Sequence, residues 1–481
     1  PYAYVSADAT PLLIIAMNDY AVQSGDLAFA RDKWDNVWRA YRFLRSTYDS
    51  SGLAQNAGIG HGWVEGGPLL PVKNEYYQAG LGVEALRALS NLARLLGKND
   101  ISKQLADEFE KGKAVLEQAF WTPETGSYAF AVKQDNQRSQ ELSVLTTVPM
   151  WFGLPDANRA DQTITKLAAE EHQADWGMRI ISDQSKVYDG SGYHYGSVWP
   201  LFTGWASVGE YRYHRAFPAY SNLRSNALLG VDGALGHFTE VLSGDYYQSF
   251  STSSPHQIWS AAMVVSPILR GMFGLQTDAE KHQITFAPHV PADWSSFAIR
   301  DVRLGDTQVD FQYRKVSDSI VLETKRTGSG DCWVEFSPGL SLRTQVKSVD
   351  LNGRPLPFKV LPNENDQHLS VRFPVYGGPN SLVVHLKNDF GLSLSSELPP
   401  LGSGSRGLRV ISESWNASKT QLTLELSGRA GSQYEMGVWN SPQISSVEGA
   451  SATKTGKLHI QMPEGTADSY VPQKVIIHFG R

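Results

Sequence analysis

The sequence predicts a mainly helical toroid followed by two β-sandwich-like modules. Apolar residues recur at helical spacing up to about residue 275 and alternate at strand spacing afterwards, and a Gly-, Pro- and Ser-rich stretch divides the alternating part in two. The helical segments come in pairs, an apolar one before a more amphipathic one. Such pairs favour a ring of buried inner helices and partly wet outer helices over a plain solenoid, for which no repeat consensus exists.

Helical periodicity is clearest in three segments. In GDLAFARDKWDNVWRAYRFLRSTY, apolar residues recur from Leu27 to Leu44. In AGLGVEALRALSNLARLLG, Leu89 and Leu92 share one face, and Gly97 fits a C-cap. NDISKQLADEFEKGKAVLEQAFW continues in phase directly afterwards. Further helices are predicted at about 6–24, 139–152, 156–172, 197–214 and 255–273.

The hydrophobic pattern changes from helical to strand periodicity after GMFGL. TQVDFQYRKVSDSIVLETKR alternates apolar and polar residues around a Ser-Asp turn, and similar strands run to SLVVHLK. GLSLSSELPPLGSGSRG is typical of a linker, and a second alternating block then ends the chain. We therefore predict a helical domain at 1–276, a β-sandwich at 277–390, a linker at 391–406 and a small β domain at 407–481.

Composition excludes several partners. A net charge of -6 argues against nucleic acid, whose phosphates need a basic surface. No apolar run approaches the roughly 20 residues that cross a bilayer, so no membrane partner is predicted. Cys332 is the single cysteine, which excludes an intramolecular disulfide and a Cys-rich metal site. The sequence does not fix the compartment; a periplasmic or secreted location is favoured, with the cytoplasm as the alternative.

Two glutamates stand in loops rich in Gly and aromatic residues. Glu65 lies in GHGWVEGGPLLP and Glu240 in GALGHFTEVLSGDYYQSF. Hydrolysis of a glycosidic bond needs one carboxylic acid to protonate the departing oxygen, and a second carboxylate to activate water or attack the sugar. The 13 Trp and 20 Tyr offer platforms for sugar C–H surfaces. A solvated or capping Glu is the ordinary alternative at each position, and it stays open here.

Other kinds of catalytic site have weaker support. The 12 His show neither His-x-x-x-His nor His-Glu-x-x-His spacing, so no metal or other cofactor is predicted. His61, His194 and His237 lie in the aromatic loops, where a hydrogen bond to a sugar is the favoured role. The sequence holds no Gly-x-Ser-x-Gly elbow and no phosphate loop, which sets aside a serine hydrolase and a P-loop NTPase.

Several stretches of the first 275 residues carry a resemblance to a known family. They include YVSADATPLLI, GWVEGG, VKNEYYQAGLGVEAL, ADWGMRIIS, YHYGSVWP and GHFTEVLSGDYYQSFSTSSPHQIWS. In order and spacing they resemble bacterial and archaeal glycogen-debranching-type (amylo-α-1,6-glucosidase-like) enzymes. GWVEGG is similar to that family's Trp-Met-Asp stretch, which carries the general acid. The last stretch resembles the segment in which the general base Glu precedes a Pro-x-Gln-x-Trp-Ser-Ala helix.

The resemblance implies an (α/α)6 barrel and an inverting glycoside hydrolase. Carried over by position, it implies Glu65 as the general acid and Glu240 as the general base. It also implies that Tyr193, His194 and Trp199 belong to the pocket wall, whereas Phe202 and Trp205 are core. The sugar pocket implied in this way is lined by Asp8, Trp63, Glu75, Gln78, Tyr193, His194, Trp199 and Trp259.

The chain departs from the family pattern in two ways. The acid position holds Glu where the family usually has Asp, and Glu75, followed by Asp245, is the main competitor for a catalytic role. Family members also carry a helical hairpin before the point that matches residue 1, so we expect an upstream segment or chain to complete the barrel. ADWSSFAIRDVRLGDTQVDFQYR further resembles the β-sandwich that follows such barrels in rhamnosidase-like enzymes.

The sequence thus predicts an exo-acting inverting glycosidase that cleaves α-glucosidic or related bonds of oligo- or polysaccharides by general acid and general base catalysis. Two alternatives stay open. A glycoside phosphorylase on the same fold would use phosphate in place of water and would not need a base carboxylate. A non-catalytic carbohydrate-binding protein would tolerate changes at both glutamates.

Overall fold

The computed structural model describes residues 6–56, 62–316, 318–453 and 455–480. Helices dominate the chain up to residue 272, and strands dominate from residue 276 onward. Within the described residues, no helix has both the length and the apolar character needed to cross a bilayer. The α-helices are Ala9–Ser24 (α1), Leu27–Asp32 (α2), Trp34–Ser46 (α3), Tyr76–Leu95 (α4), Asn99–Phe120 (α5), Thr147–Trp151 (α6), Ala157–Leu167 (α7), Pro200–Arg212 (α8), Ala216–Leu229 (α9) and Ile258–Ser266 (α10).

Paired helices build the first part of the chain. α4 packs along α5, and α8 packs along α9. Residues around the whole circumference of α4 are buried, whereas α5 buries a single stripe that includes Leu105, Leu116 and Phe120. An inner helix covered by an outer amphipathic helix is the arrangement that the periodicity predicts for this pair.

Four helical segments differ from the sequence prediction. The segment from Leu27 to Leu44, predicted as one helix, is divided at Lys33 into α2 and α3. The predicted helix at 139–152 is shorter, a 3-10 turn at Val144–Thr146 followed by α6. The predicted helix at 255–273 is α10 continued by a π-helix at Pro267–Met272, because Pro267 has no N–H for the regular hydrogen-bond ladder. The helix α9 was not predicted. It buries polar residues such as Asn222 and Asn226, so its sequence shows no apolar stripe.

Strands form four main sheets after residue 276. The order β15-β14-β18-β11-β10-β9 makes one sheet of the first sandwich, and β13-β17-β12-β8-β7 makes the other, with β16 beside β17. The final module has sheets β19-β22-β25-β24 and β20-β21-β26-β23. The strands are Asn74–Glu75 (β1), Trp121–Thr122 (β2), Ser127–Tyr128 (β3), Ala131–Val132 (β4), Gln173–Ala174 (β5), Gly177–Met178 (β6), Gln276–Asp278 (β7), Gln283–Phe286 (β8), Ser296–Leu304 (β9), Thr307–Val316 (β10), Ser319–Thr327 (β11), Trp333–Phe336 (β12), Gly339–Ser341 (β13), Gln345–Leu351 (β14), Arg354–Pro355 (β15), Lys359–Pro362 (β16), Asp366–Pro374 (β17), Gly378–Lys387 (β18), Gly391–Ser393 (β19), Arg409–Trp415 (β20), Gln421–Arg429 (β21), Gln433–Trp439 (β22), Ile444–Glu448 (β23), Ser451–Ala452 (β24), Lys457–Gln461 (β25) and Tyr470–Phe479 (β26).

Alternate residues of these strands fill the sandwich cores. In β10, Val309, Phe311 and Tyr313 are buried while the residues between them are more exposed, as the period of two requires. Phe286 and Phe336 pack against each other from neighbouring parallel strands, with ring centroids 5.6 Å apart. The alternation in the sequence therefore marks the strand residues that face the cores of the sandwiches.

The stretch 391–406 is docked along its length rather than free. β19 pairs with β22 of the final module. Farther along, the Tyr247 N–H donates to the Ser403 carbonyl oxygen at 2.9 Å. Asp175, from the helical part, accepts hydrogen bonds from the backbone of Arg406 and Gly407 and forms a buried ion pair with Arg409. The final module is thus held against the helical part by charged groups that water does not reach.

A buried polar network connects α8 to α9. The Asn222 side chain donates to Glu210 at 2.9 Å and accepts from Gln173 at 2.7 Å. Burial raises the pKa of Glu210 to about 7, and the hydrogen bond from Asn222 and the charge of Arg215 only partly oppose this. The Glu210 carboxyl is therefore protonated in mildly acidic solution and ionised, at a cost, in alkaline solution.

This environment predicts a pH-dependent effect of Glu210→Gln. Because the folded pKa of about 7 exceeds the unfolded value of 4.5, the stability that this carboxyl contributes is complete below about pH 4.5 and is lost as the pH rises through about 7. The loss is on the order of 3 kcal/mol. Urea denaturation should show Glu210→Gln gaining stability relative to wild type between about pH 5 and about pH 8. Glu364→Gln, at an exposed position, is the control, and its stability relative to wild type should not change over this pH range. A stability difference for Glu210→Gln that does not change with pH would contradict the prediction.

Candidate active site

The loop that carries Glu65 is positioned by the ring of Trp63. That ring lies edge-on against Phe202, Trp199 and His194, with centroid distances of 4.4, 4.8 and 5.1 Å. Phe202 is fully buried near the start of α8, so the loop is anchored on the helical core. The Glu65 side chain itself is exposed.

The segment before α8 forms the adjoining wall. Trp199 is 2% exposed, and its indole N–H donates to the Tyr193 carbonyl oxygen at 3.0 Å. Because it is covered, Trp199 supports Tyr193 and His194 from behind rather than offering a face to a ligand. The Tyr193 ring packs edge-on against Trp199 at 4.7 Å and remains partly accessible. Burial lowers the pKa of His194 to about 4, so this imidazole is neutral at physiological pH.

Glu240 is held in place by a bridge of hydrogen bonds between the backbone segments 238–240 and 254–257. Its N–H donates to the Ser254 carbonyl oxygen at 2.9 Å, and its Oε2 accepts the Ser254 N–H at 3.1 Å. The Gln257 N–H donates to the Phe238 carbonyl oxygen at 2.8 Å and closes the same bridge. The carboxylate is half-buried, and its other oxygen, Oε1, accepts from the Tyr193 hydroxyl at 3.1 Å.

Tyr193 binds Glu240 and is close enough to Glu65 to be affected by its charge. Burial raises the pKa of its phenol to about 12, and the negative charges of Glu240 and, more weakly, Glu65 add to this increase. The field of Glu65 therefore reaches the hydroxyl that binds Glu240, although 175 positions separate the two residues. The fold brings the loops of both glutamates to one place.

A second cluster lies behind the first, around Glu75. This side chain is fully buried, and its Oε1 accepts from Asn56 Nδ2 at 2.8 Å. Burial raises the pKa of Glu75 to about 7, and the negative charge of Asp8 raises it further. Asp8 accepts from the Tyr77 hydroxyl at 2.7 Å. A Cβ on Gly62 would lie 2.0 Å from Glu75 Oε1, so the Glu65 loop passes directly over this carboxyl.

The remaining predicted site residues occupy different positions. Gln78 is buried in α4, where its side-chain N–H donates to the Gln55 carbonyl oxygen at 3.3 Å. Trp259, in the first turn of α10, is 38% exposed. Asp245, the second competitor, accepts from the Tyr188 hydroxyl at 2.8 Å. His61 lies outside the described residues.

Sequence reasoning missed four residues that shape the site. Asn56 and Ser254 bind Glu75 and Glu240, Tyr77 binds Asp8, and the Tyr195 ring packs against the Glu65 loop. Tyr77 and Tyr195 stand inside quoted aromatic stretches, and this proximity was an available signal. Asn56 and Ser254 carry no sequence signal, because their roles depend on backbone geometry.

The arrangement suits acid–base chemistry on an uncharged polar ligand. It combines an exposed carboxylate, a half-buried carboxylate bonded to a phenol, a neutral imidazole and accessible aromatic faces. General acid and base catalysis at a glycosidic bond needs two carboxyl groups with different surroundings, and Glu65 and Glu240 meet that condition.

Comparison with known proteins supports an enzyme class for the helical part. Residues 78–238 match the family model described as the mannosylglycerate hydrolase MGH1-like glycoside hydrolase domain. The match includes Tyr193, His194 and Trp199 and ends two residues before Glu240. It supports a glycoside hydrolase, and hence a carbohydrate substrate; it does not specifically support the debranching type. No curated protein has a sequence that matches this chain.

Two solved structures that resemble this chain in fold are much longer, and the chain spans less than two fifths of either. One is an alpha-L-rhamnosidase from Dictyoglumus thermophilum, with a TM-score of 0.52, 15% identity, and coverage of 76% of this chain and 38% of the rhamnosidase. Another is a sialidase, with a TM-score of 0.55, 15% identity, and coverage of 63% of this chain and 29% of the sialidase. At this identity the likeness concerns the fold.

Gly67 offers a test of how the Glu65 loop is held. It has a φ of +91°, and a Cβ there would lie 2.8 Å from the Tyr195 ring. Gly67→Ala should therefore destabilise the protein by roughly 1–3 kcal/mol, as measured by thermal or urea unfolding. The matched control is the neighbouring Gly66→Ala, since a Cβ on Gly66 has no atom within 4 Å. Equal effects of the two substitutions would show that the described loop contacts are not formed.

Proposed function

We propose that this protein is an inverting, exo-acting glycoside hydrolase that cleaves α-glucosidic or related α-glycosidic bonds. In this proposal the helical part is an (α/α)6 toroid, which the pairing of α4 with α5 and the likeness in fold to the rhamnosidase support. The substrate is an oligosaccharide or the end of a polysaccharide chain. Debranching-type specificity rests on the sequence resemblance.

One observation carries the proposal: Tyr193 binds Glu240 and lies within the field of Glu65. This phenol is hydrogen-bonded to one carboxylate and affected by the charge of the other, which comes from a separate loop; this supports the proposal. We assign to Glu65 the proton donation to the departing oxygen and to Glu240 the removal of a proton from water. Tyr193 keeps its proton over the physiological range because its pKa is about 12, so it orients Glu240 as a hydrogen-bond donor.

Exposure distinguishes Glu65 from its competitor Glu75. A general acid must come within hydrogen-bond distance of the glycosidic oxygen. Glu65 is open to solvent, whereas Glu75 is 0% exposed and bonded to Asn56. We therefore assign to Glu75 a positioning role beneath the loop of Glu65.

Substitution of the three glutamates tests these roles. Glu65→Gln should lose about 10²–10⁴-fold in kcat on sugars with poor leaving groups and much less on aryl glycosides with very acidic leaving groups, which need no protonation. Glu240→Gln should lose activity on both kinds of substrate. Glu75→Gln should retain the wild-type dependence on the leaving group. If Glu75→Gln, and not Glu65→Gln, loses less activity on aryl glycosides with acidic leaving groups than on other sugars, the acid is Glu75.

Controls separate a catalytic effect from a structural one. Asp245 lies in the loop of Glu240 and binds the Tyr188 hydroxyl rather than either glutamate. The kcat of Asp245→Asn should therefore stay within a few-fold of wild type. NMR of the first-formed product should show the anomer inverted; retention would contradict the mechanism. Turnover that requires added phosphate would favour a phosphorylase. Carbohydrate binding without turnover, unaffected by either glutamine substitution, would favour a binding protein.

Identifying the substrate requires activity assays on a panel of candidate sugars rather than on a single one. The family match provides a specific reason to include mannosylglycerate beside α-glucan oligosaccharides and aryl α-glycosides. We expect the highest kcat/KM on an α-glucosidic member of the panel. A preference for mannosylglycerate would replace the proposed specificity and leave the roles of the two glutamates intact.

A further inference from the structure

Histidines and an aspartate that are distant in the sequence converge where the helical part meets the first sandwich. His214 follows α8, and His289 follows β8. Asp366 and His368 begin β17, and because they are two positions apart on one strand, their side chains point to the same face. Two parts of the fold therefore contribute nitrogen and oxygen donors to one cluster, outside the candidate active site.

One carboxylate oxygen faces three imidazoles. Asp366 Oδ2 lies 3.1 Å from His214 Nδ1, 3.3 Å from His289 Nδ1 and 3.3 Å from His368 Nε2. Donor atoms about 2.0–2.2 Å from a tetrahedral Zn²⁺ are separated by roughly 3.3 Å, so these spacings match the edges of such a site. Ligand atoms of His214, Asp366 and His368 all lie within 4.8 Å of one another.

The hydrogen bonds around the cluster orient lone pairs inward. His368 Nδ1 lies 2.7 Å from the Ser337 carbonyl oxygen, so this nitrogen carries the hydrogen. Nε2 of the same ring faces Asp366 Oδ2 at 3.3 Å, and within the described part of the chain this buried atom forms no well-aligned hydrogen bond. A ligating His commonly donates its second N–H to a backbone carbonyl in this way. Asn363 donates to Asp366 Oδ1 at 2.9 Å and leaves Oδ2 toward the imidazoles.

We propose that His214, Asp366 and His368 bind one divalent transition-metal ion, and that Zn²⁺ is the ion that fits best. Two imidazoles and one carboxylate without a thiolate are suitable Zn²⁺ ligands. His289 and Asp366 also line a cavity of about 120 Å³, which has room for a water molecule as fourth ligand. The ion joins the end of α8 to β17 and stabilises the junction between the helical part and the sandwich.

Metal titration of the intact chain tests this site. After chelator treatment and dialysis, the wild-type protein should bind one Zn²⁺ per chain in competition with a chromophoric chelator, and its Tm should rise. Co²⁺ should give the visible absorption bands of a tetrahedral site. His214→Asn, which keeps a residue that tolerates the φ of +61° at this position, and His368→Gln should each reduce the affinity at least tenfold.

The matched control is His385→Gln. His385 pairs with Asp350 on the same sandwich at 3.5 Å but is half exposed and outside the cluster, so its replacement should leave the stoichiometry at one. Circular dichroism of the metal-free variants verifies their fold. Absence of stoichiometric Zn²⁺ binding by folded wild type, or equal affinity in the cluster variants, would overturn the proposal and show a purely hydrogen-bonded His–Asp cluster. The glycosidase activity is not needed for any of these measurements.

Discussion

The edge-to-face contact of Trp63 with Phe202 and Trp199 is the interaction on which the candidate site depends. The loop around Glu65 has little regular secondary structure, so backbone ladders do not fix its position. Ring contacts of this kind contribute about 0.5–1.5 kcal/mol each beyond burial, and three of them converge on Trp63. Since Phe202 begins α8, the loop takes its place from the helical core.

Burial gives neighbouring carboxyl groups different chemistry. Glu65 and Glu75 are ten positions apart, yet one is exposed and the other is buried with a pKa of about 7. Glu210, in α8, has the same raised pKa for the same reason. Each buried carboxyl costs stability when it ionises, and the surrounding helices must be packed well enough to offset that cost. The helical part thus combines an exposed carboxylate at the candidate site with a buried, titratable one beneath the same loop.

Sequence patterns predicted those elements whose buried positions hold apolar residues at a regular period. The stripe in α5 and the alternation in β10 each mark an inward face, so period alone located them. The helix α9 escaped because its buried positions include polar residues such as Asn222, which belongs to a polar network.

Part of the candidate site could likewise be predicted from the sequence, and part could not. Glu65 and Glu240 were found from their loop composition and a family resemblance, but the contact of Tyr193 with Glu240 within the field of Glu65 follows only from the folded geometry. The His214–Asp366–His368 cluster lies beyond sequence reasoning, since its members come from two parts of the fold and follow no spacing rule.

The buried contact between Asp175 and Arg409 has a consequence for how the molecule comes apart. Detaching the final module would leave one of these charges in an apolar setting without its partner, at a cost of several kcal/mol. The helical part and that module should consequently melt together in a single calorimetric transition, although each has a hydrophobic core of its own. Joint unfolding of these two parts, rather than independent unfolding of each, is what this one contact favours.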